Sequence, residues 1–215
     1  MRIVLLGPPG SGKGTQAVGL AESLGVPHIA TGDIFRAEIA SQSTLGRLAN
    51  DFIAHGNFVP DEIVNDVMRE RLSRADAEGF VLDGYPRTLE QAHSLQSTLE
   101  KLQRPLDVAL ALEVPDDRIV ERAVGRLICP QCGAIYHLTS KPPQLMGVCD
   151  VDRGRLEVRE DDQPSTVRHR LGVYHRLTEP VLEFYRSRNL LRSVDGLGER
   201  TDIGDRLRAA LHAPC

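Results

Sequence analysis

Residues 7–15, Gly7-Pro8-Pro9-Gly10-Ser11-Gly12-Lys13-Gly14-Thr15, constrain this chain more than any other stretch. They follow a short apolar run at 3–6 with the pattern of a fully buried strand, and they precede a helix-forming run at 16–24. Glycine tolerates φ > 0 at no steric cost, so the backbone can curl and turn successive N–H groups inward. Such a curl, with the positive end of a helix behind it, cradles phosphate oxygens. Lys13 adds a mobile cation and Thr15 a hydroxyl. The stretch fits G-x-x-x-x-G-K, except that Gly14 follows the lysine where Ser or Thr is usual. A bare match of this kind also arises in ordinary glycine-rich turns; the strand before it and the helix after it argue for the phosphate reading.

The 215 residues suffice for one sizeable core with small insertions, and 41% of them are hydrophobic. A formal net charge of −4 and an aromatic content of 4% count against a nucleic-acid binder that relies on a basic field and base stacking. No apolar run approaches the length of a membrane-spanning helix. The N-terminus lacks the pattern of a signal peptide, and the cysteines are not spread as a disulfide framework, so a cytoplasmic protein is expected.

Strand-like runs recur at 26–30, 79–82, 106–114 and 190–194, alternating with helical patterns. Residues 34–50 read as a helix in two pieces, broken near 41–43, with Gly56 closing the segment. Pro60-Asp61-Glu62 starts another helix, Thr88 caps one that runs to 102, and Pro115-Asp116-Asp117 opens one to 124. At Gly125 the pattern breaks into a Cys-, Gly- and Pro-rich segment at about 126–162, read as a small inserted subdomain. One long helix is predicted from Pro164 through Tyr185, and 199–211 forms a closing helix. This alternation predicts an α/β fold with a parallel sheet covered on both faces. Ligands then bind beyond the carboxyl ends of the strands, where the first loop, Thr31 and residues 83–87 all fall.

Several segments together resemble adenylate kinases of the long, lid-bearing type: residues 7–15, Thr31-Gly32-Asp33-Ile34-Phe35-Arg36, Asp83-Gly84-Tyr85-Pro86-Arg87-Thr88 with Gln91, Gly125-Arg126, residues 159–162 and Arg168-His169-Arg170. The resemblance covers nearly the whole chain. It implies a P-loop nucleoside triphosphate hydrolase-like core with a five-stranded parallel sheet at 1–29, 60–125 and 163–215. It also implies a nucleoside monophosphate-binding insertion at 30–59 and a zinc-ribbon-like lid at 126–162. The implied reaction is reversible phosphoryl transfer from MgATP to AMP giving two ADP, in a monomer that needs neither nucleic acid nor membrane.

By that resemblance, Gly10, Ser11, Gly12, Lys13, Gly14 and Thr15 hold the ATP phosphates, with Arg122, Arg126, Ile135, Tyr136 and Gly198 toward the adenosine side and His137 nearby. Thr31, Gly32, Arg36, Asn57, Phe58, Val59, Gly84, Tyr85, Pro86, Arg87 and Gln91 receive AMP, joined by Arg159 and Arg170. Lys13, Arg87, Arg126, Arg159 and Arg170 are the implied catalytic cations, and Asp83 helps hold Mg²⁺ through water. Guanidiniums suit this work because each offers a planar fork to phosphate and stays charged. A lone arginine is more often a solvated charge, and Arg168 is read so, because two helical residues two apart cannot share the face of Arg170. Asp161 and Asp162 are either helix-start carboxylates or, by resemblance, partners of the closing arginines. Tyr85 stands where the family often has Phe, expected to be harmless beside a polar cleft, and Leu127 where relatives often carry a second basic residue.

Cys129-Pro130-Gln131-Cys132-Gly133 forms a C-x-x-C-G knuckle, followed by Cys149 and, three positions on, Asp152. Zn²⁺ accepts carboxylate oxygen beside thiolate sulfur, so Cys129, Cys132, Cys149 and Asp152 are the expected ligands of a structural zinc. Asp150 and His137 are lesser candidates for the fourth position, and a metal-free redox pair at Cys129 and Cys132 is the alternative. Cys215 is read as a free thiol. Two other functions stay open: the same transfer to UMP or CMP, and a zinc-ribbon nucleic-acid module using Arg153, Arg155 and Arg159.

Overall fold

The strand β1 (Arg2–Leu6) lies at the centre of the molecule, and its side chains explain the layering of the whole computed structural model. Ile3 and Leu5 point into one apolar cluster, whereas Val4 and Leu6 point into another on the opposite face of the sheet. A strand buried on both faces reads as a continuous apolar run, which is what the sequence has. Residues 1–55, 57–139, 141–158 and 162–212 are described. The expectations for Gly56, Arg159, Asp161 and Cys215 fall outside them.

The other strands of the sheet are β2 (His28–Ala30), β3 (Phe80–Asp83), β4 (Val108–Glu113) and, for convenience numbered last, β7 (Leu191–Asp195). The sheet is wholly parallel in the order β2-β3-β1-β4-β7, with Leu5 opposite Asp83 on one side and Leu110 on the other. On one face, α1 (Lys13–Leu24) and α9 (Arg200–His212) bury Ala17, Leu20, Ile203 and Leu207 against the sheet. On the other, α4 (Asp61–Ser73), α5 (Leu89–Lys101) and α8 (Glu179–Arg186) contribute Met68, Leu72, Leu95, Val181 and Tyr185. Among the described residues, no helix is long and apolar enough to cross a membrane.

Between β2 and α4 lie α2 (Thr31–Ala40) and α3 (Thr44–Ala54). Ser43 caps α3 by accepting the Gly46 N–H at 2.9 Å. A Cβ at Gly46 would sit 2.0 Å from the Glu38 carbonyl, so only glycine lets the two helices approach this closely. The break expected at 41–43 is there. Thr31 is already the first residue of α2, so it starts the helix that had been expected to begin at Ile34.

Helix α6 (Asp116–Val124) leads into an antiparallel hairpin, β5 (Arg126–Ile128) and β6 (Ile135–His137), and α7 (Pro164–Val173) leads back. Leu127, Cys129, Tyr136, Cys149 and Leu156 form the only buried apolar cluster described in this inserted segment. Leu127 is thus a core residue of the insertion.

The helix expected to run unbroken from Pro164 through Tyr185 is divided by a π-helical turn, Tyr174–Thr178. Pro180, just inside α8, cannot donate an N–H to the turn before it. Side chains anchor the widened turn. Thr178 donates to the Arg87 carbonyl at 2.8 Å, and the His175 ring lies between Asp116 at 2.9 Å and Glu179 at 3.1 Å. Asp116 foremost, with Glu179, raises the pKa of His175.

Tyr85 is 2% exposed, and its hydroxyl donates to Asn65 Oδ1 at 2.8 Å inside the core. The hydroxyl is therefore accommodated by a buried amide, and not by the polar cleft as expected. Tyr85→Phe would leave the Asn65 oxygen buried without that donor, which costs about 1–2 kcal/mol. Urea unfolding of the variant should show a lower midpoint with an unchanged slope.

Candidate functional site

The loop between β1 and α1 takes its shape from glycines at φ 142° (Gly7), 83° (Gly10) and 95° (Gly12). Gly12 is the N-cap of α1, so the amides of the first helical turn open toward the loop. A Cβ at Gly10 would approach Ile119 of α6 to 2.9 Å, and one at Gly14 would meet Asp83 Oδ2 at 3.2 Å. A Ser or Thr at position 14 would press on the Asp83 carboxylate, which would have to give by a few tenths of an ångström. Arg122 supports the loop by donating to the Ser11 carbonyl at 3.3 Å and to Gly196 O at 3.2 Å. Ser11 is buried and its hydroxyl has no hydrogen-bond partner among the described residues, while Thr15 is exposed.

Four elements bring basic groups to this loop. Lys13 comes from α1, Arg87 from the β3–α5 loop, Arg126 from β5 and Arg170 from α7. Burial, then repulsion from Arg87, Arg170 and Arg126 against the attraction of Asp83, lowers the pKa of Lys13 to about 8. Arg87 is lowered to about 10 by burial and by Arg170 and Arg36. Burial alone would raise Asp83, but His28, Lys13 and Arg87 hold it below the usual carboxylate range. His28 Nε2 lies 3.9 Å from Asp83 Oδ2. Asp162, 3% exposed, accepts from Arg126 at 3.2 Å.

Arg170 lines two adjoining cavities. The smaller is a narrow cleft beside Pro9, Gly10, Arg126 and Asp162. The larger is bounded by Thr31, Gly32, Arg36, Asn57, Phe58, Val59, Gly84, Arg87 and Gln91. Arg168 is exposed, as its spacing from Arg170 requires. Thr31 donates to the Gly84 carbonyl at 2.9 Å and Arg87 Nε to the same oxygen at 2.7 Å. The Arg87 guanidinium lies 5.1 Å from the centre of the Phe58 ring, and Arg36 pairs with Asp33. Pro86 and Tyr85 are buried, so they offer the cavity backbone at most.

In the inserted segment, one ligating atom each from Cys129, Cys132, Cys149 and Asp152 lies within 4.8 Å of all the others. Cys129 Sγ is 3.3 Å from both Asp152 oxygens, and Cys132 Sγ is 3.5 Å from Cys149 Sγ. Tetrahedral Zn²⁺ at about 2.3 Å from sulfur separates its ligands by roughly 3.5–3.8 Å, so the cluster has the right size. The Gly154 amide and the surrounding thiols hold Asp152 down at about 2, in the form a metal requires. Asp150 is turned away to the Gln144 amide, and His137 Nδ1 accepts from Thr139. Ile135 is exposed on β6. Tyr136 points into the insertion's small core, its hydroxyl accepting from the Asp150 amide at 2.8 Å. Gly198, at φ 108°, sits in the loop whose Gly196 carbonyl meets Arg122.

The family model described as adenylate kinase matches residues 5–190. The chain belongs to the adenylate kinase family. An adenylate kinase of Streptomyces avermitilis is 48% identical over 213 residues, covering 98% of this chain and 97% of the relative. That of Symbiobacterium thermophilum is 51% identical over 197 residues, 91% of each chain, and that of Caldicellulosiruptor bescii 46% over 212 residues, 98% and 99%.

Sequence reasoning missed four side chains at this site: His28 beside Asp83, Asp61 and Thr178 behind residues 87–91, and His169, which lies 3.0 Å from Asn57 Oδ1. For Asp61, Pro60-Asp61-Glu62 signalled only a helix start.

Lys13 is half-buried among like charges, so its folded pKa, about 8, lies below the unfolded 10.5. The cost of this charge is full below pH 8 and fades as pH rises from there to 10.5. Lys13→Met should stabilise the ligand-free protein by about 1–2 kcal/mol at pH 7. Urea unfolding at pH 7 and pH 10 should show that gain shrinking with pH; destabilisation at pH 7 would contradict it.

Proposed function

We propose that this chain catalyses reversible phosphoryl transfer from MgATP to AMP, giving two ADP and serving adenine nucleotide balance and AMP salvage. One observation carries the reading: Arg170 borders both cavities, and with Arg87 and Arg126 it stands close enough to Lys13 to lower that amine's pKa. A polyanion in the larger cavity would meet one held on the loop at residues 10–15 end to end among these cations. Phosphoryl transfer leaves little covalent work to the protein, because catalysis rests on alignment and on charge aimed at the transferring group.

In this reading, the amides of residues 10–15 and Lys13 hold the donor phosphates, with Arg122 fixing the loop's curl. The donor's adenosine extends toward Ile135, the backbone at Tyr136, and Gly198. The acceptor's phosphate meets Arg36 and Arg87, and its base enters between Thr31, Gly32, Val59 and Gln91, with Asn57, Phe58, Gly84, Tyr85 and Pro86 completing the wall. Arg126, Arg159 and Arg170 converge on the phosphoryl group in flight. Asp83, ionised and next to Gly14, suits a water-mediated hold on Mg²⁺, which supplies charge neutralisation across the donor phosphates. Cys129, Cys132, Cys149 and Asp152 suit a structural zinc that staples a segment whose own core is very small.

We extend the reading to a core of 1–29, 60–125 and 163–215, a monophosphate-binding unit at 30–59 and a lid at 126–162, in a monomeric cytoplasmic enzyme. Closing both inserted units over the two nucleotides would exclude water as a competing acceptor.

Lys13→Ala and Arg87→Ala should each lower turnover by about 10²-fold or more while the far-ultraviolet circular dichroism stays unchanged. Near-normal turnover in either variant would remove that residue from the mechanism. Elemental analysis of freshly purified protein should find one zinc per chain, with occupancy lost or weakened in Cys149→Ala; metal-free wild-type protein would refute the site.

A further inference from the structure

Gln91 is 1% exposed, yet it lines the larger cavity. Its amide is held at both ends. Nε2 donates to Asp61 Oδ1 at 2.7 Å, and Oε1 accepts the Arg87 N–H at 2.7 Å. Asp61 is fixed in turn, because its other oxygen accepts the Thr88 hydroxyl at 2.6 Å. Thr88 accepts the Gln91 backbone N–H at 3.1 Å as the cap of α5. The hydrogen bonds close on themselves across α4, the β3–α5 loop and α5.

A primary amide has two N–H donors and two acceptor lone pairs. Asp61 takes one N–H and Arg87 one lone pair. One N–H and one lone pair remain to an amide that borders the cavity. Turning the amide over would set Oε1 against the Asp61 carboxylate and NH₂ against the Arg87 N–H, two buried like-to-like contacts.

We propose that Asp61 is a positioning residue that sets acceptor specificity: by fixing which way the Gln91 amide faces, it selects a 6-aminopurine and rejects a 6-oxopurine. This deepens the acceptor reading above and rests on it. Adenine offers a donor N6–H beside an acceptor nitrogen, and a correctly turned amide satisfies both at once. A 6-oxopurine offers an acceptor O6 in place of that donor, so it meets the fixed Oε1 lone pair-to-lone pair. On its Watson–Crick edge the N1–H also faces the amide N–H. Only the flipped amide would suit such a base, and the flip is what Asp61 and Arg87 oppose.

The test is steady-state kinetics at saturating MgATP with AMP, IMP, purine riboside monophosphate, CMP and UMP, on the wild type and Asp61→Asn. The wild type should use AMP best, purine riboside monophosphate less well, and IMP about 10³-fold or more below AMP in kcat/KM. In Asp61→Asn the Thr88 hydroxyl still needs its acceptor, which turns the new NH₂ toward Gln91 and favours the flipped amide. The AMP-to-IMP ratio should then fall by about tenfold or more, with the KM for MgATP, read in a second series at saturating AMP, unchanged. A parallel loss on AMP and IMP, leaving the ratio intact, would make Asp61 a mere strut between α4 and α5 and overturn the proposal. Wild-type protein that uses IMP as well as AMP would overturn it too, whether or not Asp61→Asn folds. A wild-type preference for CMP or UMP would fail in a different way, sinking the AMP acceptor reading and this proposal with it.

Discussion

Positive charge crowded at the carboxyl edge of the sheet is the constraint on which the rest of this structure depends. Lys13, Arg87, Arg126 and Arg170 stand close enough that burial and mutual repulsion depress Lys13 to about 8 and Arg87 to about 10. The carboxylates interleaved with them, Asp83 and Asp162, moderate the field. Such crowding needs a closely packed scaffold around it. Here that scaffold is a parallel sheet packed on both faces, with Ile3, Leu5, Leu82 and Leu110 almost wholly buried. Polyanions would complete the site, in line with the pattern in which stability is given up where function needs charge.

The supports for these cations are backbone carbonyls and helix caps. Arg122 holds the loop at Ser11 O, Thr178 holds the Arg87 carbonyl from the π-helical turn, and Gly84 O collects both Thr31 and Arg87. The same turn carries His175, whose ring ties the start of α6 to α8. The chain leaves the core through α6 and returns through α7, so the junctions with the inserted hairpin are braced at one place. The hairpin's few buried side chains surround the cysteines, and a metal there would fix what apolar packing alone holds weakly.

Much of this was legible in the residues because each element carries a local cause. β1 and β4 are apolar runs buried on both faces, Gly12 and Gly25 mark the ends of α1, and Ser43 and Thr88 cap their helices. The Cys129, Cys132, Cys149 and Asp152 spacing led to a compact tetrad. What the residues did not disclose depends on contacts far apart in sequence. An unbroken apolar stripe hides the π-helical turn at 174–178, since the stripe continues through it. The Tyr136 hydroxyl meets Cys149 and Asp150, and Tyr85 finds Asn65 twenty positions back, pairings that no local pattern announces. Asp61 carries a helix-start signature in sequence; only the fold brings it within 2.7 Å of Gln91.

The central claim is that two phosphate-binding cavities share one set of cations, so that a donor and an acceptor react with each other and not with water. Phosphorus NMR of the purified protein mixed with MgATP and AMP tests it most directly. The expected result is equal consumption of ATP and AMP, two ADP formed for each pair, and no inorganic phosphate. Release of phosphate from ATP in the absence of AMP, or ATP turnover that leaves AMP untouched, would contradict the account.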